Sequence, residues 1–337
     1  MAEKQGTSLA GVAGMSSSVV AQLAELWLTT AEELVSAARQ PGGEAGLVSF
    51  LGLPADQVEA LVNAAVDVLP ADVSFEDEEP FELALGALAI DDVASPDDEP
   101  VSFADLPEQV DLLATMPAVR NQGNRGTCVS HAATAVREFL TGAGSTSANL
   151  SEQFLYWACK QRDGHPADGG TWIKVAMAVL QDTGVCPEPI WPYNKALVAN
   201  NEGQGPPPAH AQAQAAPFKV ISTKQLQARW LQDLKGALAD GQPVAFSVSI
   251  FQSWQNPWTY RNGDIRLPLP GERNLGGHAM CMVGYADDDD VPGGGYFIVR
   301  NSWGEAFGQQ GKIAPGYCRL PYAFVQQNGW EAYTARL

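Results

Sequence analysis

The stretch Asn121–Leu140, NQGNRGTCVSHAATAVREFL, decides how the rest of the chain is read. Two glycines and polar residues come first, then an unbroken run of helix-forming residues beginning at Cys128. The pattern predicts a loop that delivers a thiol to the first turn of a helix over about 128–140. There the unpaired N–H groups and the helix dipole favour negative charge, and so favour thiolate over thiol. A thiolate attacks carbonyl carbon. A lone cysteine is also an ordinary small buried hydrophobe, and local context alone leaves both readings open.

Residues further along bear on that choice. Gly276-Gly277-His278 opens an apolar, strand-like run, so an ionisable ring stands at the edge of a segment that otherwise reads as buried. Asn301-Ser302-Trp303-Gly304 follows the strand-like YFIVR. An amide at a strand end can hold the second ring nitrogen of a histidine, and an indole beside it can shield that bond. Cys128, His278 and Asn301, in that order, supply nucleophile, base and orienter. Gln122 lies on the approach loop, where its amide can aim at an oxyanion together with the Cys128 N–H. An alternative is a zinc site from Cys128-x-x-His131 and His278-x-x-Cys281. It leaves Gln122, Asn301 and Trp303 without a task.

These elements together resemble the papain-like cysteine peptidases. LPEQVDL (106–112) is similar to the start of that catalytic domain, and PAVRNQGNRGTC (117–128) to its approach loop and nucleophile. LSEQFLYWAC (150–159), DGG (168–170), GGHAMCMVGY (276–285) and VRNSWGEAFGQQGK (299–312) follow in the family's order. The resemblance implies an α+β fold of two lobes, one helical and one an antiparallel β-barrel-like lobe, over residues 104–337. It implies that Cys128 is the nucleophile, His278 its base and acid, Asn301 the orienter and Gln122 the oxyanion donor. Trp303 would cover the His278–Asn301 bond. Gly169 and Gly170 would pair with an extended peptide. Trp172, Ala279 and Ser247 would wall the specificity pocket. Cys128 and His278 would form a thiolate–imidazolium pair at neutral pH, leading to an acyl-enzyme. The implied substrate is a peptide or protein, with no cofactor and no metal. An inactive peptide-binding scaffold is the competing outcome.

Departures from the family are visible. Arg125 stands where the family has a cysteine, disulfide-bonded in its secreted members, and Val129 stands where it has an aromatic residue. The ADDDDVPGGG stretch (286–295) lengthens the path from base to orienter and reads as a solvated hairpin tip, without the alternating ligands of a calcium loop. The first hundred residues lack the helical propeptide motif of the cathepsins. Cys281 reads as core, and Cys318 has no evident partner. Cys159 and Cys186 are candidates for a bridge on export. His131 reads as packing, and His165 and His210 as loop residues.

The remainder of the chain reads as helices followed by strands, again α+β. The run 19–40 has helical apolar spacing, with Thr30 and Glu33 as a capping box and Pro41-Gly42-Gly43 as a stop. A second helix follows Pro54, and Pro70 ends it. Residues 1–70 therefore read as a small all-α module, similar on pattern to tandem helix-hairpin-helix units. Nucleic-acid versions present basic residues, and only Lys4 and Arg39 are basic here, so the expected role is protein contact or packing. Helices are also expected over 151–161, capped by Ser151, and over 171–184. Strands are expected over 243–250, 278–286 and 296–302, and residues 203–217 read as a flexible loop.

The 337 residues carry a net charge of −19, which argues against general nucleic-acid binding. Residues 71–103 hold eleven acids and no base, against net −6 for residues 1–70 and −2 for 104–337. That density predicts an extended linker. Its apolar run FELALGALAI (81–90) suggests a regulatory strap that docks elsewhere on the chain. The 45% hydrophobic content permits a core, and no apolar run is long enough to cross a membrane. Five cysteines cannot all pair within one chain. With no secretory signal evident, reduced thiols and a cytoplasmic setting are expected. The helical module could dock a partner protein or a larger assembly.

Overall fold

The computed structural model describes residues 4–73, 75, 79–90, 106–142 and 148–337. Residues 91–103 of the acidic linker lie outside them. The chain opens with four short helices: α1 (Ser17–Glu25), α2 (Ala31–Arg39), α3 (Gly43–Leu51) and α4 (Ala55–Val66). The expected helix over 19–40 is two helices. The break centres on Trp27, a buried residue at φ 61°, whose ring lies under the Lys4 ammonium and 5.2 Å from the Arg319 guanidinium. The capping box forms at the start of α2: the Glu33 N–H donates to Thr30 Oγ1, and the Glu33 carboxylate accepts the Thr30 N–H.

The helices share a core of Leu9, Leu23, Leu34, Leu47, Val58 and neighbours, which also takes in Leu267 and Leu269 from far down the chain. Backbone and side-chain bonds reinforce that seam. The Leu267 N–H reaches Leu26 O (3.1 Å), and Asn256 Nδ2 reaches Ser36 O (2.9 Å). Arg319 grips Asp264 with two bonds of 2.6 and 2.8 Å beneath Trp27. The module therefore sits on residues 254–272.

A short strand β1 (Gln109–Asp111) leads into the long buried helix α5 (Cys128–Leu140), then α6 (Glu152–Lys160) and α7 (Ile173–Asp182). Ser151 caps α6 through the Phe154 N–H, as expected. Next come α8 (Ala211–Ala215), β2 (Ser222–Leu226), α9 (Leu231–Ala239), β3 (Val244–Phe251) and α10 (Pro257–Asn262). The chain closes with β4 (Asn274–Asp287), β5 (Gly295–Arg300), β6 (Tyr317–Pro321), α11 (Tyr322–Asn328) and β7 (Gly329–Arg336). The segment 203–217 is not wholly irregular. Ala211 and Ala215, small enough to approach closely, are fully buried in the core around α5 and α7 and hold α8 there.

All the strands pair antiparallel in the order β2-β7-β3-β4-β5-β6, and β1 adds to the far end of β4. Two cores flank the sheet. One joins α5, α6 and α7 to Ala245, Ala279 and Cys281. The other fills the barrel side with Phe246, Trp254, Met280, Phe297 and Phe324. The α+β, two-lobed arrangement follows. All five cysteines are free and buried, Cys159 and Cys186 included. Among the described residues no single helix is long and apolar enough to cross a membrane.

Candidate active site

The groove lies where the first turn of α5 meets β4 and the end of β5. Cys128 is the first residue of α5, and the N–H groups of Cys128, Val129 and Ala279 face its sulfur. Ala279 follows His278 on β4, so the thiol and the imidazole come from adjoining elements. His278 Nε2 donates to Asn301 Oδ1 (2.8 Å), and the same oxygen accepts the Ser302 N–H (2.7 Å). Those bonds place the ring proton on Nε2. Nδ1 is left buried and without a partner, a lone pair available to take a proton. Trp303 stacks on the imidazole with centroids 4.5 Å apart, and its own neighbours Trp254, Tyr260 and Phe307 keep water from the His278–Asn301 bond.

Gln122 is fixed at every polar atom. Its N–H donates to Ser302 O (2.8 Å), its Oε1 accepts from Ser302 Oγ (2.6 Å), and its C=O accepts from Tyr193 Oη (2.9 Å). Because Ser302 claims the oxygen, the amide nitrogen is the end that projects into the groove. Ser302 was legible only as part of the Asn301-Ser302-Trp303 run, and nothing in the sequence assigned it this task.

Residues 79–90 occupy this groove. Phe81 exchanges bonds with Gln255 and stacks on Tyr260 at 3.8 Å. Ala84 O accepts from Gln122 Nε2 (3.0 Å). The Gly86 and Ala87 N–H groups reach Gly277 O (3.2 and 3.1 Å). Gly86 O accepts the Thr171 N–H (2.9 Å), Leu88 N donates to Thr171 O (3.0 Å), and Trp172 Nε1 donates to Ala89 O (3.0 Å). The backbones almost touch. A Cβ on Gly86 would lie 2.0 Å from Gly126 O and 2.3 Å from its carbonyl carbon. The Gly86 N–H faces Cys128 Sγ.

One expectation is corrected here. The strand pairing falls on Thr171, not on Gly169 or Gly170. Gly170 has its N–H committed to Tyr156 Oη (2.9 Å) and its C=O to Lys160 Nζ (2.8 Å), while Gly169 contributes no bond to the segment. Gly170 instead turns the chain at φ 87°, where a Cβ would strike Gly86 O. Burial pushes the Cys128 thiol up to about 11 and holds the imidazole of His278 down at about 4, the Asn301 bond offsetting part of the latter.

Of the pocket residues, Trp172 touches the segment directly. Ser247 is fully buried and stands in register with both Ala279 and Glu331, its Oγ accepting the Glu331 N–H (3.3 Å). His131 is buried one turn into α5, with Nδ1 on Thr127 O and its ring edge-on to Tyr193. Among the described residues no His/Cys/Asp/Glu group is arranged to hold a metal ion, and His278 has its Nε2 on Asn301 rather than facing Cys281.

This geometry agrees with the family comparison, in which the profile of the papain family cysteine proteases matches residues 106–321. The chain belongs to that family. It is therefore a papain-like cysteine peptidase, a hydrolase acting on peptide bonds. Its relatives include an uncharacterised peptidase C1-like protein of Acanthamoeba polyphaga mimivirus, 26% identical over 63% of this chain and 68% of that one. Cathepsin B-like CP3 of Giardia intestinalis is 27% identical over 63% of this chain and 69% of its own. Among solved structures, xylellain, a cysteine protease from Xylella fastidiosa, superposes with a TM-score of 0.62 at 27% identity, covering 77% of this chain and 98% of that one. Digestive procathepsin L 3 of Tenebrio molitor shares the fold, with a TM-score of 0.53 at 21% identity over 74% of this chain and 76% of that one.

Proposed function

We propose that this peptidase works through Cys128, His278, Asn301 and Gln122, and that residues 79–90 hold it closed. In the open groove, His278 Nδ1 takes the thiol proton and the sulfur adds to a peptide carbonyl carbon. Gln122 Nε2 and the Cys128 N–H receive the developing oxyanion. The imidazolium gives its proton to the leaving amine, an acyl-enzyme remains, and water activated by the same ring releases the acid. Asn301 and Trp303 keep the ring oriented through both half-reactions. Thr171 offers an N–H and a C=O to extended peptide backbone, with Trp172 and Ala279 beside it.

The observation that carries the closed state is the segment's backbone laid across the site. Its Ala84 carbonyl occupies the Gln122 donor, and its Gly86 lies so close to the approach loop that a Cβ there would stand 2.0 Å from Gly126 O. A segment seated that way fills the groove and resists attack. The helical module, docked on residues 254–272, anchors the segment's N-terminal side, and the acidic stretch beyond residue 90 connects it to the catalytic unit.

Turnover of a fluorogenic peptide by the full chain and by Gly86→Val tests both parts. Valine cannot fit against Gly126, so the variant is expected to be the faster enzyme, and Cys128→Ala in the same background to be inactive. A variant no faster than the parent contradicts the closed state. Activity surviving Cys128→Ala contradicts the mechanism.

A further inference from the structure

The residue at 125 is where this chain departs most plainly from its family, and the structure shows a different fastening there. Arg125 is fully buried. Its Nη1 donates to Gln153 Oε1 (2.7 Å) and Asn194 O (2.8 Å), and its Nη2 to Glu202 O (3.0 Å). The guanidinium lies between two phenol rings, 5.3 Å from the centroid of Tyr156 and 5.2 Å from that of Tyr193. One planar cation thus joins the approach loop, α6 and the loop 194–204, a task suited to a rigid fork of donors.

Each phenol continues to a different working part of the groove. Tyr193 Oη donates to Gln122 O (2.9 Å). Its single proton is then spent, so it accepts from Thr127 Oγ1 (2.5 Å). It therefore bridges the two ends of the loop that carries the oxyanion donor and leads into Cys128. Tyr156 Oη donates to Glu202 Oε1 (2.7 Å) and accepts the Gly170 N–H (2.9 Å). With Lys160 on Gly170 O, that leaves the next residue, Thr171, presenting its N–H and C=O to the groove.

We infer that Arg125, Tyr193 and Tyr156 are positioning residues, forming a non-covalent brace in which Tyr193 sets the oxyanion donor and Tyr156 sets the peptide-binding edge. None of the three bonds to the segment in the groove. The brace contains no sulfur, so thiol reductants that keep Cys128 active leave it intact. The inference rests on the peptidase reading above.

The two arms are separable by kinetics. In full-length Gly86→Val, Tyr193→Phe deletes the bond to Gln122 O and is expected to lower kcat about tenfold while KM stays within about twofold. A peptide aldehyde, whose adduct oxygen sits at Gln122, should bind Tyr193→Phe about tenfold more weakly, while the matching unreactive peptide amide binds as before. Tyr156→Phe is expected to raise KM and weaken aldehyde and amide alike. Arg125→Lys keeps the charge but loses the fork, and should move both parameters while leaving the thermal midpoint above the assay temperature. If Tyr193→Phe changes kcat and KM equally, or neither, the brace does not act as inferred. If the Gly86→Val parent neither turns over peptide nor binds the aldehyde, the peptidase reading falls first and this inference with it.

Discussion

The groove and the segment lying in it are built on opposite principles. The groove presents side chains: a thiol at a helix start, an imidazole on β4, an amide after β5, an indole stacked on the imidazole. The segment 79–90 engages chiefly through its backbone. Ala84 O, Gly86 N–H and O, Ala87 N–H, Leu88 N–H and Ala89 O make its bonds, and a glycine is required where the two chains nearly touch. Side-chain chemistry leaves residue types in order along a sequence. Backbone docking leaves a glycine amid an apolar run, here Phe81, Leu83, Leu85 and Leu88, with no residue type that names its destination. One chain thus carries a site that announces itself and a docked segment that does not.

The contrast can be broken most sharply on the groove side. In the Gly86→Val background, Cys128→Ala or His278→Ala should reduce peptide turnover by at least about 10²–10⁴-fold, measured with a fluorogenic peptide. Gln122→Ala removes one oxyanion donor and should cost about 10²–10³ in kcat in the same assay. On the segment side, Gly86→Val should raise turnover of the otherwise unaltered full chain about ten- to a hundredfold, since overpacking of this kind costs about 1–3 kcal/mol. Phe81→Ala, which removes only the stack on Tyr260, should raise it about three- to tenfold, consistent with an aromatic pair of about 0.5–1.5 kcal/mol. A segment variant that lowered activity would turn the comparison around.

Legibility in the sequence follows the same division. The start of α5, the Ser151 cap and the Thr30–Glu33 box depend on residue types at fixed offsets, and could be read; Cys128, Gln122, His278, Asn301 and Trp303 were legible through short runs whose order resembles the papain-like peptidases. The docking of FELALGALAI was legible as an apolar patch inside an acidic stretch, without its destination. The pairing role of Thr171 was not legible, because what moved it off Gly170 is a pair of long-range bonds from Tyr156 and Lys160. Nor was the Arg125 brace, whose partners lie up to 77 residues away. Trp27 at positive φ hid the break between α1 and α2, since its apolar spacing continues smoothly through it. The alanines of α8 read as loop because a short helix without polar-apolar contrast looks like low-complexity sequence until its packing is known.

The proposed closure also has an electrostatic side. Burial holds the Cys128 thiol up near 11 and the His278 imidazole down near 4, while the N–H groups of Ala279, Gly86, Val129 and Cys128 act on the thiol in the opposite sense. Opening the groove would admit water and lower the cost of charging both groups.

The most direct measurement is the pH profile of iodoacetamide alkylation at Cys128, read by peptide mass spectrometry in the full chain and in Gly86→Val. The full chain should react slowly at neutral pH and gain rate only as pH climbs toward about 11. Gly86→Val should react rapidly at neutral pH. Superimposable profiles from the two proteins would contradict the proposal that residues 79–90 close the groove over this thiol.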